Sequence, residues 1–303
     1  MRSLLRWPRT TGLGPATRTA SLLTASFLCV PVPSSAQEAL RVCADPDNLP
    51  YSRQDGGGFE NRIVQLAAAD LGLALQYAWL PDRRGFVRKT LGAGLCDLIV
   101  GVPAHFERTL NTRPYYRSSY VLVQPRTQPS APASFADPRL RRWRVGVQLV
   151  GDDLAATPPG HALAQAGALD NVVGFPLAGE QPAAARMVQA LARGELDAAF
   201  VWGPQAGYYA LHAPVPLRLH YVPPPAGLKD QPFAFAIAMG VRRGDRALRD
   251  RLDDFIARRQ ADIDRILADY GVPRLPEDAQ RSDPEEMSAP EPAQRTDPGG
   301  VSP

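Results

Sequence analysis

Histidine and cysteine are scarce in this chain of 303 residues, with four copies of the first and three of the second. His105, His161, His212 and His220 lie far apart, and no CxxC or paired-histidine spacing accompanies the cysteines, so no ordinary zinc pattern is present. The sequence also lacks a Gly-x-Ser-x-Gly elbow, a phosphate-cradling glycine loop and an HExxH pair. Gly92-Ala93-Gly94 fails as a dinucleotide fingerprint, because Cys96-Asp97 opens a strand directly afterwards. Residues 45–56 do not make a calcium loop, since Leu49 and Pro50 fill the positions of its third ligand and its glycine. The expectation is no enzyme and no resident metal. Long apolar runs are missing too. The stretch 22–32 is shorter than the roughly 20 residues a membrane span needs and is interrupted by Pro31, so no stable membrane insertion is expected.

What that stretch does fit is a secretory leader. Arg2, Arg6, Arg9 and Arg18 precede it and Ser34-Ser35-Ala36 follows it, which sets cleavage before Gln37. Cys29 does not make a lipoprotein signal, because Leu28 stands where a small residue is needed. The leader holds four arginines and no acids, so its removal takes a chain of net charge +3 to −1. The basic character of the precursor therefore carries no argument for nucleic acid.

Export leaves two cysteines, Cys43 and Cys96, in an oxidising compartment. They fall in two segments that read as strands and can be neighbours in a parallel sheet. A bridge between them would contribute roughly 4 kcal/mol in the chain-entropy model; two buried thiols are the other reading. Residues 277–303 hold seven acids, two arginines and five prolines, with Met287 and Val301 as their large apolar residues. Such a composition buries too little apolar surface to offset its ordering entropy and reads as a solvated tail.

Between leader and tail, strand and helix signals alternate. Strands are expected over 40–44, 75–80 and 96–102, and helices over 60–71 and 84–93, ended by Gly72 and Gly94. This is βαβαβ order. A strand at 120–124 and a Pro- and Ser-rich connection at 125–138 follow. A second unit then has strands at 144–149, 171–175 and 197–202, with helices within 155–168 and at 183–192. Strands at 218–222 and 233–241 and helices at 247–256 and 261–270 close the pattern. The fold class is α/β.

The layout resembles the type II periplasmic-binding-protein fold, two α/β lobes joined by two crossing strands, over nearly all of 40–270. Leu49-Pro50-Tyr51-Ser52, Gly58-Phe59-Glu60 and Leu91-Gly92-Ala93-Gly94-Leu95-Cys96-Asp97 carry that likeness. It implies a discontinuous first lobe, 37–124 plus 234–276, and a second lobe, 125–233, with crossings near 121–126 and 228–234. A narrower likeness lies in residues 42–50, in Arg83-Arg84-Gly85-Phe86-Val87-Arg88 and in Pro114-Tyr115-Tyr116-Arg117-Ser118-Ser119-Tyr120. These segments resemble the periplasmic accessory, or J, proteins associated with PQQ-dependent methanol dehydrogenase. The resemblance implies a periplasmic protein that partners this dehydrogenase, and by extension its cytochrome c partner, and that assists its maturation or activation.

Amino-acid-binding members of the superfamily clamp a zwitterion with an arginine and an aspartate. His105 and Trp202 stand at those two positions, so both clamps are lost, unless Arg108 replaces the arginine by a register shift. Asp45, Asn48 and Tyr51 follow the first strand, where open α/β sheets place ligands. Arg83 and Arg84, with Arg88, surround Phe86. They suit an anionic ligand such as PQQ bound transiently, or a plain solvated helix start with Phe86 in the core. Tyr115, Tyr116 and Tyr120, with Arg117 among them, are candidates for a recognition surface, and packing between lobes explains the tyrosines as well. Two further functions are compatible with the scaffold: a transporter's substrate-binding protein for a small solute, and a lyase resembling cyclohexadienyl dehydratase.

Overall fold

A computed structural model describes residues 38–150, 155–177, 181–228 and 231–275. The leader and the acidic tail expected from the sequence lie outside the described residues. The strands are β1 (Ala39–Ala44), β2 (Asp47–Asn48), β3 (Ser52–Arg53), β4 (Ala74–Trp79), β5 (Leu98–Pro103), β6 (Leu110–Asn111), β7 (Tyr116–Pro125), β8 (Val145–Val150), β9 (Ala155–Ala156), β10 (Val172–Pro176), β11 (Ala198–Trp202), β12 (Leu217–His220) and β13 (Ala234–Val241). The helices are α1 (Phe59–Leu71), α2 (Phe86–Lys89), α3 (Pro158–Gln165), α4 (Ala183–Ala192), α5 (Gly203–Leu211) and α6 (Arg246–Asp269).

One sheet runs in the order β10-β8-β11-β7-β13-β5-β1-β4, with β12 added to β7, β6 to β13 and β9 to β8. Its two ends are parallel: β4 and β5 flank β1 at one end, and β10 and β11 flank β8 at the other. Long β7 links them. Residues 116–119 pair with β13, and residues 120–125 pair with β11 and β12. No residue of the strand is fully exposed, and Ser118, Ser119 and Gln124 are buried along with its apolar residues.

Helices cover the sheet by their apolar faces. Ile63, Val64, Ala67 and Ala68 of α1 are buried, and the helix stops at Gly72, which adopts the left-handed conformation at φ 70. Together with Leu252, Phe255, Ile263 and Leu267 of α6 they form the core beside β1, β5 and β13. At the other end, Met187 and Leu191 of α4 pack on Val121, Val123 and Val201. The disulfide joins Cys43 in β1 to Cys96 just before β5, with Cα atoms 5.5 Å apart.

Three expectations need correction. The helix at 84–93 breaks into α2 and a separate 3-10 turn, Leu91–Ala93, because Thr90 leaves the helical region and its hydroxyl donates to the Phe86 carbonyl. Helix α5 had no counterpart in the sequence reading. The two C-terminal helices form one, α6, kinked at Arg259 (φ −110, ψ 16).

Candidate functional site: a carboxyl-lined cavity, an aromatic belt and an arginine surface

Strands β1 and β5 end side by side, and the loops that leave them enclose a cavity of about 220 Å³. Asp45 and Asn48 line it, together with Glu60, Asp82, Phe86, Gly101 and Phe106. Asp45 builds the wall: its carboxylate accepts from the backbone N–H of Asp47 at 2.8 Å and of Asp82 at 2.6 Å, drawing two loops together. Its carbonyl accepts from the Ser52 hydroxyl at 2.8 Å.

Glu60 was not singled out from the sequence. A glutamate in the first turn of α1 reads as ordinary support for the helix dipole. In the fold it turns into the cavity, and burial, with Asp82 adding in the same sense, pushes its carboxyl up to about 8. It is therefore protonated and able to donate at neutral pH. Asp82 is raised as well, by burial and then by Asp45. Gly101 makes room for the Glu60 carboxyl: it holds φ at +80, and a Cβ there would collide with Glu60 Oε1. Among the described residues no group of three or more His, Cys, Asp or Glu could hold a metal ion.

Behind the cavity runs a belt of aromatic rings. Phe59 meets Tyr51 edge-on at 5.4 Å and Tyr116 at 6.2 Å, and Tyr116 meets Tyr115 at 5.1 Å. Trp202 meets Tyr120 at 5.4 Å and Phe235 at 5.6 Å. Tyr51, Tyr115 and Tyr116 are all raised well above the ordinary phenol range, first by burial, with the nearby Glu60 adding to it. The candidate recognition surface made by the two tyrosines is thereby corrected. Tyr115 is 2% and Tyr116 7% exposed, so their rings pack the core and do not face a partner. Arg117, their neighbour on β7, lines a groove that both tyrosines also border, with α6 on the far side.

Arg83 and Arg84 lie on the outside, around a second hollow of about 330 Å³ that also takes in Arg88 and Arg108. This hollow shares Asp82, Phe86, Val87 and Phe106 with the first. His105 is exposed on the turn after β5. The fold thus brings Asp45, Asn48, Arg83 and Arg84 to adjoining hollows. It draws Tyr51, Tyr115, Tyr116 and Trp202 into the belt, with Arg117 on the groove beside it.

This architecture is that of a type II periplasmic binding protein, and the chain belongs to the bacterial extracellular solute-binding protein family, whose model matches residues 56–272. More narrowly it is a homologue of the J-type proteins. It is 32% identical to protein MoxJ of Methylorubrum extorquens over 90% of this chain and 99% of that protein. It is 30% identical to protein MoxJ of Paracoccus denitrificans, over 78% and 89%. The crystal structure of the periplasmic binding protein XoxJ from Methylobacterium extorquens superposes with a TM-score of 0.66 at 35% identity, covering 78% of this chain and 100% of that one. Among the described residues no helix is long and apolar enough to cross a membrane.

Proposed function

We propose that this chain is a periplasmic, non-enzymatic accessory that docks on a PQQ-dependent methanol dehydrogenase and assists it toward its active, cofactor-loaded form. The similarity to MoxJ along nine-tenths of the chain supports this reading above all else. The residues at the clamp positions support it too: His105 and Trp202 supply neither the bidentate cation nor the carboxylate that holds an amino acid. In this reading residues 37–124 and 234–276 form one lobe and 125–233 the other, with the crossings near 121–126 and 228–234.

Calorimetric titration of the mature protein into the cognate dehydrogenase, apo and loaded, tests the proposal. Tighter binding of the apo form is expected, because an assistant of maturation must favour the state it acts on. Absence of heat with both forms overturns it. A second reading, a receptor for a small solute, draws on the cavity at the ends of β1 and β5. A receptor gains thermal stability from its ligand by mass action, so a metabolite screen by thermal shift separates the two.

A further inference from the structure

Most arginines of the described chain are paired. Arg41 and Arg242 hold Asp97, Arg62 holds Asp269, Arg139 holds Asp137, and Arg258 and Arg259 hold Asp70. Five basic residues close together in the fold depart from this habit. Arg83, Arg84, Arg88, Lys89 and Arg108 make no side-chain hydrogen bond or ion pair with any described residue. They are all exposed. Four of them ring the 330 Å³ hollow, and Arg88 and Arg108 extend it, with Arg242 and Arg243, into a neighbouring hollow of about 410 Å³. Phe86, Phe106 and Leu91 give both an apolar floor. Asp82 is the one acid on the linings of these two hollows, and like charges that outnumber their counter-charge raise the local potential and select an anion.

The chain carries a matching anion. Residues 277–303 hold Glu277, Asp278, Asp283, Glu285, Glu286, Glu291 and Asp297 against Arg281 and Arg295. The sheet also fixes where Leu275, the last described residue before this segment, stands. Leu275 donates its N–H to the Arg117 carbonyl, Arg117 pairs with Ala236, and the Ala236 carbonyl accepts from Ala104. Three strand spacings at one level, about 14 Å, therefore separate Leu275 from Ala104. His105, Phe106 and Arg108 follow immediately. Ten residues of extended chain reach up to ~35 Å, so Glu285 and Glu286 come within range of Arg83, Arg84 and Arg88.

We propose that the acidic C-terminal segment docks on this arginine surface of its own chain in the unpartnered protein. Tethering gives the segment a millimolar-scale effective concentration, so an external carboxylate-rich partner must displace it to reach Arg83 and Arg84. The inference goes beyond the dehydrogenase reading, and its test uses no partner.

With the native bridge closed, Ser288→Cys places a single reactive thiol in the full mature chain, to carry a nitroxide. In the ¹⁵N-labelled protein at low salt, the amide signals of Gly85, Phe86, Arg88, Phe106 and Arg108 should weaken at least roughly twofold and recover at about 0.5 M salt, where charges are screened beyond ~4 Å. Glu285→Gln with Glu286→Gln, and separately Arg84→Gln with Arg88→Gln, should restore them as well. Unchanged signals around the hollow, or weakening that survives these substitutions, overturns the proposal. Weakening that appears only when spin label and ¹⁵N sit on different molecules assigns the surface to a second copy and overturns it equally.

Discussion

At the start of β1, the Arg41 guanidinium donates to both oxygens of Asp97, at 2.9 and 2.6 Å, and to the Gly94 carbonyl at 3.2 Å. At the start of β8, Arg144 donates to Asp197 and, at 2.7 Å, to the Gly194 carbonyl. In each corner the aspartate N–H returns a bond to the arginine carbonyl, at 2.8 and 3.0 Å. The two parallel ends of the sheet are fastened by one device used twice, and they differ in what reinforces it. Two residues beyond Arg41 stands Cys43, bridged to Cys96; two beyond Arg144 stands Gly146, whose missing side chain leaves space for Leu196. Asp97 takes a second arginine, Arg242, at 2.6 Å, whereas no second arginine strengthens Asp197 among the described ion pairs. The covalently held end is also the one whose loops enclose the ionisable cavity, so the stiffer frame surrounds the group with the raised carboxyl.

Breaking the bridge should show the largest difference. Cys43→Ala with Cys96→Ala opens a loop of 53 residues and is expected to cost about 4 kcal/mol in urea unfolding. A loss below about 1 kcal/mol, the range of ordinary surface substitutions, would mean that packing alone holds the first corner. The aspartates come next. Burial works to raise Asp97, but Arg41 and Arg242 outweigh it and hold the carboxyl below its usual range. Its contribution is therefore present at neutral pH and lost as pH falls through its lowered folded value. Asp97→Asn should cost about 2 kcal/mol and Asp197→Asn about 1, since the first side chain is 13% exposed and the second 27%. Equal losses would remove the claimed asymmetry.

Glu60 sharpens the comparison through pH. Its carboxyl is raised from 4.5 to about 8, so between these values the folded chain keeps a proton that the unfolded chain has released. Stability from this group falls as pH rises across that window and then levels. Glu60→Gln should flatten the decline and raise stability on the order of 2 kcal/mol at pH 8.5. Melting curves of both proteins at pH 5.5 and 8.5 check this; parallel shifts would show that Glu60 ionises normally. The smallest effect is expected at Gly146→Ala. The new Cβ would meet Leu196 Cδ1 at 2.8 Å, the far end of a flexible side chain, and about 1 kcal/mol of unfolding free energy should be lost.

The alternation of strands and helices was legible because its punctuation was chemical. Gly72, Gly94 and Gly194 all adopt positive φ where the pattern stopped, and the bounds of α4 match the expected helix. The cysteine pairing was legible from export and strand adjacency. Helix α5 was hidden because two of its nine residues are glycines, poor helix formers kept for close approach: a Cβ at Gly207 would strike the Gly271 carbonyl. Asp45 and Asn48 were candidates by their position after a strand, and they line the cavity at the end of β1. Glu60 was missed because a charge at a helix start looks solvated until tertiary packing covers it, and the two readings of the tyrosines stayed open because a Tyr-Tyr pair looks alike in a core and on a surface.

Trp202 ties the two sheet ends together optically. Three tryptophans follow the leader: Trp79 stacks on Tyr77 at 4.4 Å, Trp143 lies beside the Arg139 guanidinium at 5.4 Å, and Trp202 touches rings from both β7 and β13. The ring contacts of the first two stay within one segment of chain each. A protein carrying Trp79→Phe and Trp143→Phe would keep one fluorophore, set where the sheet changes from one parallel end to the other. Its emission maximum and quenching then serve as a built-in gauge of the packing between β7, β11 and β13, readable in solution without any attached dye.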